Sequence, residues 1–536
     1  MRNLLRVRSA ASAVWLLAPI IAVAAFLRFD GLSSRGILYW DEGKFALEGV
    51  RLMSVLQSML SLEAGSLAGK AIGTAKPTHA LLIAATYALF GIHDYASLYL
   101  HAAASVGAVA FTYMLGARLF NRAIGLMGAA FLAVSPYDII YARSILSESD
   151  AGVLFLLGVL VWWIGHTAPL SNSRRGWIAP VVSGLLLGAA FTTNYRLLVY
   201  IAALGLVVFV VTLKVRGRRG TAVTLMLGAC AFLVFPLLWE GAGLVAQRHG
   251  IVLFRSEITY RPTSYLAEVL YQLHGGKQSA LHFDPGMYVR WFLARQGWPF
   301  SLLLVAGLVI AAVRRTVPHL ALATLVVVPY AVYAFAPFIV PRNLDASLPF
   351  AALLAASGLA KPARLLTVRR SLPLALTAGT LVVSGITVGS ALPLLHVRSG
   401  FARATTYLDR HRTIGALVDD EVMRFYLRDP GQGCDGQKVP WRVGDLRVYV
   451  RAGNDFAVLT HASTPTASFL RRQARHVARF SALGAGYRGE NLIESENGYP
   501  PSSTSSDWVI VYSLRDLDVP RSHLLHPATC SLDRLA

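Results

Sequence analysis

Charge is scarce in this 536-residue chain, and cysteine is scarcer. Charged residues make up 15% of the sequence against 55% hydrophobic, and there are three cysteines. With a mean hydropathy of +0.52, the chain has more apolar surface than one soluble core of this length can use, which excludes an ordinary soluble domain. Cys434 and Cys530 fall in the tail while Cys230 falls in an apolar run. An oxidising exterior would permit a Cys434–Cys530 disulfide, and two separate thiols are equally compatible with the spacing. Neither HExxH nor a paired CxxC motif occurs, and no internal repeat is visible.

Acidic residues are also few, and the formal charge is +21. The excess is unevenly placed. From residue 395 onward there are eighteen Lys and Arg and fifteen Asp and Glu, so nearly all of it lies in the apolar part. No basic stripe interleaved with aromatics is left over for RNA or DNA.

What is present is a series of apolar runs. A spanning helix needs about 20 mostly apolar residues, and candidate spans lie near 10–28, 97–117, 123–136, 151–165, 177–193, 197–213, 221–239, 298–313, 318–336, 344–360 and 371–394. About eleven transmembrane helices are therefore expected. One set of alternate loops carries Arg2, Arg6, Arg8, Arg118, Arg122, Arg174, Arg175, Lys214, Arg216, Arg218, Arg219, Arg314, Arg315, Lys361, Arg364, Arg369 and Arg370. By the positive-inside rule these loops are cytoplasmic, which places the amino terminus inside and the tail outside. The expected division is a membrane domain over 1–395, with large external loops at 29–96 and 240–296, and an extracytoplasmic α/β domain over 396–536. In the tail, TIGALV, LRVYV, FAVLT and DWVIVYS read as strands and ASFLRRQARHVARFSAL as a helix.

The first external loop holds the chemistry. LYWDEGKFALEGVRLM places Asp41 and Glu42 just beyond the first span. Phe45, Leu52, Leu56 and Leu60 then repeat at helical spacing on one face, with Lys44, Glu48 and Arg51 on another, which predicts an interfacial helix. HALLIAATYALFG (79–91) is too short to span and predicts a second one. Between them stands Ala75-Lys76-Pro77-Thr78. Tyr39 and Trp40 read as interface anchors.

Carboxylates and a cation at headgroup depth suit chemistry on a lipid-linked phosphate. A sugar leaving a polyprenyl phosphate releases an anion, which calls for fixed cations, and Lys76 with Arg196 or Arg342 can supply them. The attacking hydroxyl must lose a proton, so one carboxylate acts as general base, with Asp41 the candidate. A single carboxylate opposite the leaving group implies inversion. Read singly, each residue has a plainer role: Asp41–Glu42 as a helix cap, Lys76 as a snorkelling lysine, Arg143 and Glu148 as a surface pair. Arg342 and Asp345 lie close to a span, where ionisable groups serve a site or pair internally. His249, His274 and His282 could ligate a metal, but their spacing does not require it.

The order YWDEGKFALEGVRLM, KPTHALLIAATYALFGIHDYASLYLHAAASVGAVAFTYMLGARLF and SPYDIIYARSILSESD resembles the GT-C superfamily of polyprenyl-phosphate-sugar glycosyltransferases. The likeness is greatest to the bacterial branch related to protein O-mannosyltransferases and the lipid A aminoarabinose transferase. It covers roughly 30–200 and fades into shared topology up to about 395. The resemblance implies an all-α polytopic membrane domain, an inverting glycosyltransferase of the bacterial inner membrane, a polyprenyl-phosphate sugar donor and an extracytoplasmic acceptor. Asp41 and Glu42 match the family's Asp-Glu motif, whose Asp is the base. Lys76-Pro77 matches its Lys-Pro-Pro, with Thr78 for the second Pro. Arg143 and Glu148, with Asp150 as a nearby alternative and Tyr141 beside them, match its second-loop substrate-binding motif. Thr193-Asn194-Tyr195-Arg196 stands where relatives have Thr-Lys-Gly. Some relatives carry an acid before Lys-Pro to help hold a divalent cation, and here that residue is Ala75. A transporter or flippase of a lipid-linked or anionic solute would also show many spans, but transporters tend to have repeated halves.

Overall fold

A computed structural model of the chain describes residues 2–38, 40–60, 72–166, 175–255, 262–273, 286–335, 341–366 and 371–411. In the tail it describes 416–418, 421–429, 434–435, 437–438, 443, 446, 455–459, 465–481, 508–515 and 517.

The helices run in chain order as α1 (Arg2–Phe29), α2 (Trp40–Leu60), α3 (Pro77–Phe90), α4 (Asp94–Leu119), α5 (Arg122–Ala133), α6 (Pro136–Ala142), α7 (Glu148–His166), α8 (Arg175–Thr193) and α9 (Leu198–Arg248). Then come α10 (Tyr265–Leu273), α11 (Gly286–Arg314), α12 (Val317–Ala334), α13 (Leu348–Leu366), α14 (Leu372–Ala391), α15 (Gly400–Arg410), α16 (Glu421–Tyr426) and α17 (Pro465–Gln473). Among the described residues, eight segments are long and apolar enough to cross a membrane, or nine if the α5–α6 pair, bent by 61°, is one span. The chain is a multi-pass membrane protein. Two further places account for the larger number read from sequence. The 17-residue helix Trp177–Thr193 falls just short of a full span. The 51 residues of α9 would extend about 76 Å as one rod, more than twice an apolar bilayer core. They are two helices, broken at Gly217, where φ is 68°, a left-handed conformation that glycine adopts without strain.

Small residues set the closest helix contacts, as lipid-embedded packing requires. A Cβ on Gly184 of α8 would stand 2.3 Å from the Gly228 carbonyl oxygen of α9. Helix α13 is the most enclosed candidate span, with the run from Phe350 to Ala356 buried. Just before it, Pro341–Ser347 forms a buried 3-10 helix held by tyrosines from several elements. Tyr200 donates to the Asn343 carbonyl at 2.7 Å and Tyr137 to the Pro341 carbonyl, while Asn343 Nδ2 donates to the Tyr288 hydroxyl at 3.0 Å.

The helices expected to lie in the interface are α2 and α3, and they pack into the bundle more deeply than their sequences suggest. On α3, His79, Ala80, Ile83, Ala84 and Tyr87 are buried, while Leu89 and Phe90 are exposed. On α2, Phe45, Leu52 and Val55 are buried, and so is Glu48, from the face expected to be polar.

Strands β1 (Ala416–Val418), β2 (Arg428–Asp429), β3 (Cys434–Asp435), β4 (Gln437–Lys438), β5 (Phe456–Leu459), β6 (Arg475–Ser481) and β7 (Trp508–Ser513) make a five-stranded sheet, ordered β4-β1-β5-β7-β6, and a β2–β3 pair. Strand β1 is parallel to β4 and β5, and β7 runs antiparallel to β5 and β6. The expected tail helix is half right: it ends at Gln473, and Arg475–Ser481 turns into β6 because that run pairs along β7. Of LRVYV only Leu446 is described, and Cys530 lies outside the described residues. Cys230 lies exposed on α9. The tail is clamped to the membrane part. The Tyr426 hydroxyl accepts from Ile37 N at 2.9 Å and donates to Asp94 Oδ2 at 2.6 Å. Ser399 donates from N to the Arg35 carbonyl and from Oγ to the Ile37 carbonyl, each at 2.6 Å.

Candidate functional site

Asp41 lies in the first turn of α2, where a carboxylate is favoured by the helix N-terminus. Its Oδ2 accepts from Arg342 Nη1 at 2.9 Å, and 19% of its side chain is exposed against 5% for the arginine. Burial pushes the Asp41 carboxyl up, but Arg342, Lys44 and Lys76 outweigh that and hold it below the ordinary aspartate value.

Arg342 also faces Glu148, with Nε 3.9 Å from Oε1. Arg196 Nη1 lies 4.0 Å from that same oxygen, and Asn194 Nδ2 donates to it at 3.2 Å. Glu148 opens α7, so its carboxylate meets three cationic or polar groups brought from two other segments. Lys76 donates from Nζ to Ser147 Oγ at 2.7 Å and lies over the Phe45 ring at 4.7 Å. Burial lowers the Lys76 ammonium to about 7. Arg196 and Arg342 add to the lowering, while Glu148 and Asp41 pull against it.

Local structure explains why Lys76 sits there. Ile72 N and Gly73 N donate to the carbonyls of Val252 and Leu253 at 2.8 and 3.0 Å, so the second large loop pairs with the strand-like approach to Lys76. Pro77 then starts α3 at the position where its missing N–H costs nothing. Asp41, Lys76, Glu148, Arg196 and Arg342 thus form one cluster, drawn from α2, the α3 start, α7, the turn before α9 and the 341–347 segment.

Other sequence candidates go elsewhere. Glu42 is fully buried and turned away from the cluster: Arg35 meets both its oxygens at 3.0 and 3.3 Å, Leu38 N donates at 2.7 Å and Ile145 N at 3.0 Å. It ties the α2 start to the loop before α7. Arg143 does not pair with Glu148. Its Nη1 donates to the carbonyls of Leu27, Arg28 and Asp30 at 3.3, 3.2 and 2.8 Å, closing the end of α1. Burial, with Arg35 and Arg398 nearby, lowers it to about 9. Tyr141 is fully enclosed, 5.7 Å from the Tyr137 ring. Asp150 is two residues past Glu148, hence on the opposite side of α7, and faces His79 and His101 at 3.2 Å each. His249 is exposed, and His274 and His282 lie outside the described residues. Ala75, directly before Lys76, offers no ligand atom.

Sequence reading missed Glu48. It is buried two helical turns after Asp41, and burial raises its carboxyl to about 7 against the pull of Lys44, Thr74, Arg51 and Lys76. The signal was its spacing of seven from Asp41, which places both acids on one face.

Residues 74–239 match the family model for dolichyl-phosphate-mannose-protein mannosyltransferase. No curated protein matches the sequence. Among solved structures, the chain is similar to ArnT from Cupriavidus metallidurans bound to undecaprenyl phosphate, at TM-score 0.63 and 16% identity, covering 94% of this chain and 99% of that one. It is also similar to the same protein in the apo state, at TM-score 0.59 and 15% identity over 95% of this chain and 100% of that one. The Archaeoglobus fulgidus oligosaccharyltransferase in its apo form aligns at TM-score 0.55 and 11% identity, covering 84% of this chain and 69% of that one. At these identities the likeness is one of fold.

Proposed function

We propose, from the premise that this chain has the GT-C fold, that it is an inverting glycosyltransferase moving a sugar from a polyprenyl-phosphate carrier to an acceptor outside the cell membrane. The observation that carries the reading is the convergence of Lys76, Arg196 and Arg342 beside Asp41 and Glu148. A transporter path would string such groups through the membrane instead. The undecaprenyl phosphate bound by the structurally similar ArnT supports an anionic lipid donor. The basic alternate loops support an outward-facing cluster and a cytoplasmic amino terminus.

In this reading the carrier phosphate docks on Lys76, Arg196 and Arg342. The acceptor oxygen attacks the anomeric carbon, the bond from that carbon to the phosphate oxygen breaks, and the acceptor proton passes to an Asp41 oxygen. The phosphate leaves with the bonding pair, stabilised by the fixed cations. Arg342 couples the two halves. While it neutralises Asp41, that carboxylate is a weak base; a docked phosphate competes for the guanidinium and makes the carboxylate more basic as donor arrives. Glu148 holds Arg196 and Arg342 in place, and Glu42 holds the α2 start.

The test is binding of undecaprenyl phosphate to the full chain in nanodiscs, followed by transfer from a panel of polyprenyl-phosphate sugars. The expected result is binding weakened by Arg342→Ala and Lys76→Ala, and transfer abolished but binding kept in Asp41→Asn. Binding indifferent to both cation variants would overturn the reading.

A further inference from the structure

Behind the cluster, and unused by that chemistry, three side chains from three helices meet. His79 of α3, His101 of α4 and Asp150 of α7 are each buried to within 2% of full enclosure. His79 Nδ1 and His101 Nε2 both lie 3.2 Å from Asp150 Oδ2, and one donor atom from each residue lies within 4.8 Å of the other two.

The protons decide what this cluster is. His101 Nδ1 lies 2.6 Å from the Ser97 carbonyl oxygen, one turn back on α4. A carbonyl can only accept, so Nδ1 carries the hydrogen and Nε2 of the neutral ring is a bare lone pair. That lone pair faces a carboxylate oxygen, itself an acceptor, and two acceptors at 3.2 Å repel unless a positive species lies between them. A proton is one choice. The geometry favours a larger one, because both imidazoles converge on a single oxygen while Asp150 Oδ1 and His101 Nε2 are buried without hydrogen-bond partners. Two ligands about 2.0 Å from a zinc ion at the tetrahedral angle stand about 3.3 Å apart, close to the separations here. A backbone carbonyl fixing the far nitrogen is also the usual support for a metal-binding histidine.

We propose that His79, His101 and Asp150 hold a divalent transition-metal ion of the zinc class, with both oxygens of Asp150 available to it. Two imidazoles and a carboxylate suit such an ion better than magnesium or calcium. The ion is a staple: it joins α3 and α7 close to where they carry Lys76 and Glu148, and α4 between them. Phe45 stands between it and the cation cluster, packing edge-on against His79 at 5.2 Å while its face carries Lys76. The ion therefore does not touch the carrier phosphate, and the inference does not depend on the reaction proposed above.

The test uses the full chain in detergent, with its affinity tag removed, incubated with zinc chloride and desalted before elemental analysis. About one zinc per chain is expected, falling at least about fivefold in Asp150→Asn and in His101→Leu, and unchanged in a His249→Ala control. Less than about a tenth of an equivalent in the wild type, or wild-type zinc content in Asp150→Asn, overturns the site. Should both variants fail to insert, cobalt(II) loading of the wild type decides: visible absorption of a tetrahedral nitrogen–oxygen site supports it, and an octahedral aqua-like spectrum overturns it.

Discussion

Arg342 Nη1 and Asp41 Oδ2 meet at 2.9 Å although the two residues are 301 positions apart in the chain. The pair fastens the start of the first interfacial helix to the buried turn before α13, and it keeps an ionised carboxylate at the rim of a cationic cluster. Asp41→Asn removes the proposed proton acceptor while leaving a hydrogen-bond acceptor for Arg342. Turnover should fall by about 10²–10⁴-fold, the usual worth of a general base, with affinity for undecaprenyl phosphate equal to or tighter than wild type. Single-turnover transfer alongside lipid binding measures both.

Lys76 titrates near neutrality in the free protein, with its ammonium lowered to about 7 by burial. An incoming phosphate favours the charged form, so binding takes up a proton. Affinity should therefore be full below pH 7 and fall as pH rises above it, by up to about tenfold per pH unit. Lys76→Arg, charged at every working pH, should flatten that slope. Binding curves between pH 6 and 9 check this.

Glu48 prefers its proton, since burial raises the carboxyl from 4.5 to about 7. The folded state then binds more protons than the unfolded state between those values. The contribution to stability is full below pH 4.5 and lost as pH rises to 7. Glu48→Gln, permanently neutral, should be more stable than wild type above pH 7, by on the order of 3 kcal/mol, and the gap should close towards pH 4.5. Thermal unfolding in detergent at several pH values reads it.

Arg143 closes the end of α1 through three backbone carbonyls. Arg143→Met should lower stability by about 2–4 kcal/mol, because those buried acceptors lose a charged donor. Turnover per folded molecule and lipid affinity should stay within about threefold of wild type. Full stability with lost lipid binding would assign this arginine to substrate instead.

How much of this was legible depended on whether a residue's partner lay nearby in sequence. Asp41 and Lys76 stand beside apolar boundaries in short motifs, and Arg342 sits at the edge of a span where a charge calls for explanation, so all three could be found by reading along the chain. Glu42 and Asp150 sit beside residues of the cluster but point elsewhere, since one or two steps along a helix turn a side chain by about 100° or 200°. Glu48 shares a helical face with Asp41, yet its neighbours Lys44 and Arg51 made that face look solvated, and the covering segment 72–74 comes from outside the helix. His79 and His101 belong to different helices, with no local spacing to mark them. In the tail, Arg475–Ser481 became a strand because β7 was there to pair with it, which no property of the run itself announces.

Tyr426 reaches from the tail to both Ile37 and Asp94, and Ile37 lies four residues before Asp41. The tail is thus a splint for the peptide that leads into Asp41. A grafted tail lacking a hydroxyl at this position would leave the turn that carries Asp41 unbraced. The 35–41 peptide and the tail are therefore mechanically linked, so that a change in one has to be matched by the other.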